Sequence, residues 1–433
     1  MIIAALALGA GAFAHPARAA TLKTVAVQNT LSPEMAFAYR KFRDVAISDA
    51  SPRRAAVFAQ LRGAKCLFKL DPDGGPGATV ACQRGPTPDG RAFGNLGVPS
   101  INVAGEAGLA SRVTQGRTGV YRGDPSVVAT TGDAVPAPGS GLLKTLSFGR
   151  ITDAGDVAFE STISGGAVVL GVEVNQGIFR CAGGNGNCSV ANGGTGVLTT
   201  LALVNDAVPD RAGREFCAFE ELAASSFGIA FRASTKLDCA NNAELEAVGV
   251  FRQPVGGPIQ TIALQGEPSN PFPAPGGTTY LLPQAPTIAN TGIVAFQAST
   301  TGILATTVLY RCAPATCPAS PADDAVSAGE TDGPPDNNLF VSFFTAPGVN
   351  DAGDIVFDAR IRQLSGVHQG IYIKRAAGAL DVVARTGDLS SIPAATFFDF
   401  APPAMSPGGK VVFPARVKQT ASPHTLRAVF AFE

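Results

Sequence analysis

An all-β fold, a single seven-bladed β-propeller of four-stranded blades, is what this sequence predicts, and three observations carry the prediction. A unit of turn plus strand recurs seven times, at intervals of about 50–70 residues. Glycine and proline together supply 82 of 433 residues (50 and 32), while 45% of the chain is apolar. That mixture suits many short strands joined by tight turns, not long helices or disorder. Finally, the last repeat stops one strand short, and the chain opens on a segment that matches the missing strand.

Taken in order, residues 2–14 (IIAALALGAGAFA) are apolar and lead into Ala17-Arg18-Ala19. The stretch is too short to span a bilayer, and its A-x-A ending predicts a signal peptide over residues 1–20, cut near Ala19 or Ala20. Export to the periplasm or beyond follows, with residues 21–433 as one domain. TVAVQNT (24–30) then reads as the outermost strand of the last blade and FAYRKF (37–42) as the innermost strand of the first. Residues 33–62 also show helical spacing, which leaves a local helix as a second reading there.

The repeat itself has four parts. A turn and strand recur as ISDASPRRAAVF (47–58), INVAGEAGLA (101–110), ITDAGDVAF (151–159), SSFGIAF (225–231), IANTGIVAF (288–296), VNDAGDIVF (349–357) and MSPGGKVVF (405–413). The turns supply the positive-φ positions that tight hairpins demand. A second strand follows each: CLFK, GVYR, GIFR, GVFR, VLYR, GIYIK and AVF (428–430). A third follows in six copies, for example VVATTGD (127–133) and VVARTGD (382–388), and a Phe-rich strand such as FFDFAPPAM (397–405) precedes the next turn. Four short strands cannot bury both their faces alone, so the units must stack on one another. The copy at 216–264 is the least regular, which leaves six blades with an insertion as the alternative.

SPGGKVVF (406–413) resembles the S-P-D-G-K-x-I-A-F turn of TolB-type and WD-repeat propellers. The whole set also resembles a bacterial family of exported tandem-repeat proteins with an N-x-x-G-x-x-x-F signature, often carrying C-terminal sorting anchors. Asn350, Gly353 and Phe357 match that signature, while Thr152 and Ala289 depart from it at the Asn position. The resemblance implies a propeller with the Phe-rich strand innermost (A), then the V-A-F strand (B), the G-I-F strand (C) and the outermost strand (D). It implies export and no particular reaction, and no anchor follows the closing VFAFE.

Eight cysteines agree with an oxidising compartment. They predict four local disulfides: Cys66–Cys82, Cys181–Cys188, Cys217–Cys239 and Cys312–Cys317. Acids ending the D strands (Asp133, Asp206, Glu267, Glu330, Asp388) read as caps of the turn into the next blade. Asp332 and Asp336, beside Asn337 and Asn338, form the best candidate for Ca²⁺; no other cofactor is indicated. Asp71-Pro-Asp-Gly74 opens like a calcium loop, but Cys82 stands where its closing Glu would be. His368 and His424, the only histidines past the leader, fall between strands B and C of blades 6 and 7 and are candidate ligand-face residues.

A net charge of −1 with interspersed signs gives no basic footprint for nucleic acid, and no later apolar run could span a membrane. There is no G-x-S-x-G, H-E-x-x-H or P-loop. Two functions follow. The first is a monomeric, non-catalytic binding or scaffold module for a protein or carbohydrate, using B–C loops such as 162–176 and 234–248. The second is a Ca²⁺-dependent hydrolase or lactonase with its ion in the central channel, for which Asn102, Asp153 and Asn350 are the nominees.

Overall fold

The computed structural model describes residues 21–433 except 33–36, 51–53, 124, 170–171, 184–185, 242–243, 245, 268–278, 302–306, 318–322, 333–336, 364–365 and 421–423. It is all-β, and among the described residues its helix amounts to two single 3₁₀ turns. Seven antiparallel sheets form the blades, each running A-B-C-D outward. Blade 1 comprises Lys41–Ser48, Arg54–Gln60, Lys65–Leu70 and Ala78–Cys82. Blades 2 to 4 continue through residues 93–130, 142–203 and 215–264, and blades 5 and 6 through 280–327 and 339–385. Blade 7 takes Ala395–Phe400 (extended by Ala404–Met405), Val411–Gln419 and Thr425–Phe432, then borrows its D strand, Leu22–Val27, from the other end of the chain. Leu22 pairs with Phe432 and Val27 with Ala428. The count is therefore seven, and the irregular copy at 216–264 forms a complete four-stranded blade 4.

In blades 4 to 7 the repeated residues build an aromatic stack. The B-strand Phe lies opposite the C-strand aromatic: Phe231 against Phe251, Phe296 against Tyr310, Phe357 against Tyr372, Phe413 against Phe430. These four pairs are stacked, with ring centroids 5.2–5.7 Å apart. An A-strand aromatic then meets the C-strand ring edge-on: Phe216 on Phe251, Tyr280 on Tyr310, Phe340 on Tyr372, Phe397 on Phe430. Each such contact adds about 0.5–1.5 kcal/mol beyond simple burial. The glycine two residues before the C-strand aromatic belongs to the same unit. A Cβ on Gly249 or Gly370 would fall 2.7 Å from the ring of Phe251 or Tyr372, which folds back over it.

Two boundaries differ from the sequence reading. The first A strand starts at Lys41, near the end of the segment 37–42 assigned to it, because Tyr39 turns inward against Phe68 (5.3 Å) while its backbone N–H and C=O close a loop onto Thr30 and Asn29. The helical spacing over 33–62 resolves, in its described part, into strands A and B of blade 1. The leader over residues 1–20 lies outside the described residues.

Candidate functional site

One end of the ring is closed by the repeat turns themselves. In blade 6 the Asn350 carboxamide accepts from the Asp354 N–H (2.7 Å) and donates to its carboxylate, while Gly353 takes φ +86°. Asn102 holds Glu106 in the same way in blade 2. The next turn residue reaches to a neighbouring blade. Asp351 accepts from the Asn290 N–H (2.7 Å), Asn290 from the Ser226 N–H (3.1 Å), Asp153 from the Val103 N–H (2.8 Å), and Asp49 from Ser406 and Gly408. Together these contacts form a collar of turns.

Arginines ending the C strands fasten that collar from outside. Arg122, Arg252 and Arg311 donate to the turn carbonyls of Gly155, Gly292 and Gly353 in the following blade, at 2.6, 2.9 and 3.2 Å. The seam from blade 3 to blade 4 departs from this pattern. There the turn Ser225–Gly228 is one residue shorter, Arg180 pairs with Asp156 instead, and a cavity of about 270 Å³ opens beside Thr152, Arg180 and Ile229.

Inside the collar runs a channel of about 430 Å³ lined by A strands of all seven blades. Its wall is mostly apolar, with Pro99, Pro286, Pro347, Pro402 and Pro403 among its residues, and its two ionisable groups are bound to backbone. Arg150 donates to the carbonyls of Leu222 (3.0 Å), Val98 and Pro99; burial lowers the pKa of this guanidinium, against the opposing charge of Asp44. Glu221 accepts from the Ala285 N–H at 2.5 Å.

The opposite face, made by the B–C and D–A loops, carries clefts at two adjacent seams. Between blades 6 and 7 a cleft of about 600 Å³ is lined by Phe344, Asp358, Arg360, His368, Thr386 and Phe398, among others. Phe344 and Phe398 are exposed large apolar side chains. Arg360 stacks over Phe344 at 4.9 Å and Arg416 over Phe398 at 5.0 Å. Asp358, at the cleft floor, accepts from Thr345 (2.6 Å), and burial raises its pKa. The equivalent acid of blade 3, Glu160, is pushed up to about 7 by burial despite hydrogen bonds from Gln176 and Ser147. A second cleft of about 270 Å³, between blades 7 and 1, is bounded by Phe42, Asp399, Arg416 and Arg427.

The profile of DUF7453, a family of unknown function, matches residues 68–431. The chain belongs to this family. No curated protein matches the DUF7453 chain. Among solved structures, it is similar to an oligogalacturonate lyase from Vibrio parahaemolyticus at 10% identity and TM-score 0.47, covering 95% of this chain and 98% of that one. It is also similar to a polysaccharide lyase (8%, 0.42, 95% and 97%) and to a protein of unknown function from Dyadobacter fermentans (9%, 0.35, 95% and 99%).

The cysteines of the DUF7453 chain are joined as Cys66–Cys82, Cys181–Cys188, Cys217–Cys239 and Cys312–Cys317, with Cα atoms 4.1–5.8 Å apart. Asp133, Asp206 and Asp388 each accept a backbone N–H three residues back, at 2.7 Å, so these carboxylates cap turns. Glu267 pairs with Arg211, and Glu330 is exposed. Asp332 is buried, paired with Arg385 at 2.6 Å and hydrogen-bonded to Asn338 and Tyr372, which occupies the oxygens a cation would need. Asp336 lies outside the described residues. No group of three metal-ligating side chains occurs among the described residues. Asp71 accepts the Asp73 N–H and meets Arg54.

His368 sits within strand C (Gly366–Lys374), paired with Ile361, and not in the loop assigned to it, because that hairpin continues to Gln363 and Gly366. It lines the larger cleft, whereas His424 is exposed just before Thr425. Two sets of residues escaped the sequence reading. Gln176 and Gln369 each grip the next blade's A strand through both amide atoms, at Phe219 and Phe400. The turn-fastening arginines are the second set. Both had a signal, Gln-Gly-Ile before an aromatic and an Arg ending four C strands, that repeats without declaring a partner.

Proposed function

We propose that this protein is an exported, non-catalytic propeller that binds a carbohydrate chain in the cleft between blades 6 and 7. One observation carries the reading: two exposed Phe rings, each stacked with an arginine, flank an open polar cleft of about 600 Å³ on the loop-bearing face. Apolar ring faces beside forked donors suit the alternating C–H faces and hydroxyl edges of sugars. The non-catalytic reading draws on acids of the collar, channel and D-strand turns, among them Asp351, Glu221, Asp133 and Asp332, which hold backbone or an arginine. Four disulfides and the apolar leader support export, and no helix among the described residues is long and apolar enough to cross a membrane.

Affinity electrophoresis against a panel of soluble polysaccharides tests the proposal. Retardation by at least one polymer, abolished in F344A/F398A at unchanged Tm, is expected. Retardation that survives the double substitution would place the ligand elsewhere. Release of shortened products would replace a binding module with an enzyme.

A further inference from the structure

A basic strip stands beside that cleft. On the next seam, between blades 7 and 1, Arg416 and Arg427 stand directly opposite each other on paired strands. Like charges so placed are destabilising. Asp399 pairs with Arg416 and relieves one of the two. On blade 1, Lys41 and Lys65 both pair with Gln60, one on each side, and Arg43 is exposed on the same A strand. None of Lys41, Arg43, Lys65 and Arg427 forms an ion pair with a carboxylate among the described residues. The crowding is felt: Arg43 first, then Arg427, burial, Arg416 and Lys65 hold the Lys41 amine below its ordinary range. In a chain of net charge −1, such a concentration is local.

This strip adjoins the larger cleft. Arg416 stacks on Phe398, which lines the blade 6–7 cleft, and bounds the blade 7–1 cleft with Arg427. Phe400 lines both. The two clefts therefore form one path across blade 7, aromatic at one end and cationic at the other. We infer that the ligand is a polyanionic glycan, its sugar rings on Phe344 and Phe398 and its repeating carboxylates or sulfates on Lys41, Arg43, Lys65 and Arg427. An anion there removes the mutual repulsion of the strip, so the bound state recovers what the free state loses. The inference rests on the binding-module reading and adds the charge of the ligand to it.

Fluorescence anisotropy with labelled dextran sulfate, polygalacturonate, neutral dextran and single-stranded DNA tests it in the full disulfide-bonded chain. The triple variant K41Q/K65Q/R427Q leaves both Phe residues and the Arg416–Asp399 pair in place. It should bind dextran sulfate or polygalacturonate about tenfold or more weakly than the parent, with a shallower salt dependence. It should also melt at or above the parent Tm, since repulsion is removed. Equal affinity of parent and variant for the anionic polymers overturns the inference, as does DNA binding as tightly as the glycans. Salt-independent binding of neutral dextran that needs Phe344 and Phe398 overturns it too, while leaving the binding module standing. Failure of the parent to bind any of the polysaccharides removes both.

Discussion

Asn290 of blade 5 donates its side-chain amide to Asp153 of blade 3 at 2.6 Å, passing over the blade between them. The reach exists because blade 4's turn has two loop residues where blades 3 and 5 have three, so the flanking turns meet above it. The carboxylate of Asp153 also receives the Val103 N–H, which ties blades 2, 3 and 5 together. Removing either partner should cost about 1–2 kcal/mol, and N290A combined with D153A should cost less than the two single losses added. A double-mutant cycle by urea unfolding measures this; strict additivity would mean that the bond contributes nothing.

Stability should fall as pH rises from about 4.5 to about 7. Glu160 binds its proton more tightly folded, with a pKa of about 7, than at its ordinary 4.5, so its contribution is full below that ordinary value and is lost through 7. Burial raises Asp206 and Asp358 in the same direction. The variant E160Q should exceed the parent by roughly 2–3 kcal/mol at pH 8 and match it near pH 4. Identical pH profiles of Tm for the two proteins would contradict this account.

Arg252 is 1% exposed and donates to Gly292 and Cys317 carbonyls and to Gln260. Substituting Met keeps the bulk and strands both carbonyls. A loss of about 2–4 kcal/mol is expected in R252M, against well under half of that for R311M, whose single backbone bond is longer at 3.2 Å. Equal losses would show that the fastening of turns, not burial, sets the energy.

The disulfides differ in the loops they close. Cys217–Cys239 spans 22 residues and Cys312–Cys317 only 5. Serine replacement of the first pair should cost about 3.5 kcal/mol and of the second about 2. Chemical unfolding of the two variants tests the order, and its reversal would shift the weight to local packing.

Much of this architecture was legible because it repeats. The aromatics of V-A-F and G-I-F face each other in blades 3 to 7, and the D-strand aspartates of blades 2, 3 and 6 cap the same turn. Only the end of segment 37–42 is strand, because Tyr39 has a strand-like neighbourhood but spends its ring on Phe68 and its backbone on a loop. The site was harder to read. Phe344, Phe398, Arg416 and Arg427 lie in repeats that are ordinary in sequence, and only the closing of the ring sets blade 7 against blade 1. The basic strip combines residues 41–65 with 416–427, a juxtaposition that overall charge conceals.

A chain beginning at Ala36 lacks Leu22–Val27 and leaves Thr425–Phe432 unpaired along its outer edge. It should aggregate or unfold without cooperativity, whereas one beginning at Thr21 should melt as a single transition. Matching calorimetric traces would deny the strand any part in closure.

The same seam makes the molecule divisible. Because the last blade is finished by a six-residue segment from the far end of the chain, nothing but covalent tethering requires that segment to be its own. An edge of this kind accepts an equivalent strand from outside, as in donor-strand complementation. A synthetic peptide covering residues 21–32 would then complement the shortened chain, and two intact copies unfolded together at high concentration would trade their leading strands. Each would emerge as half of a swapped dimer whose blades are all complete and whose hinge is the opened loop between Val27 and Lys41.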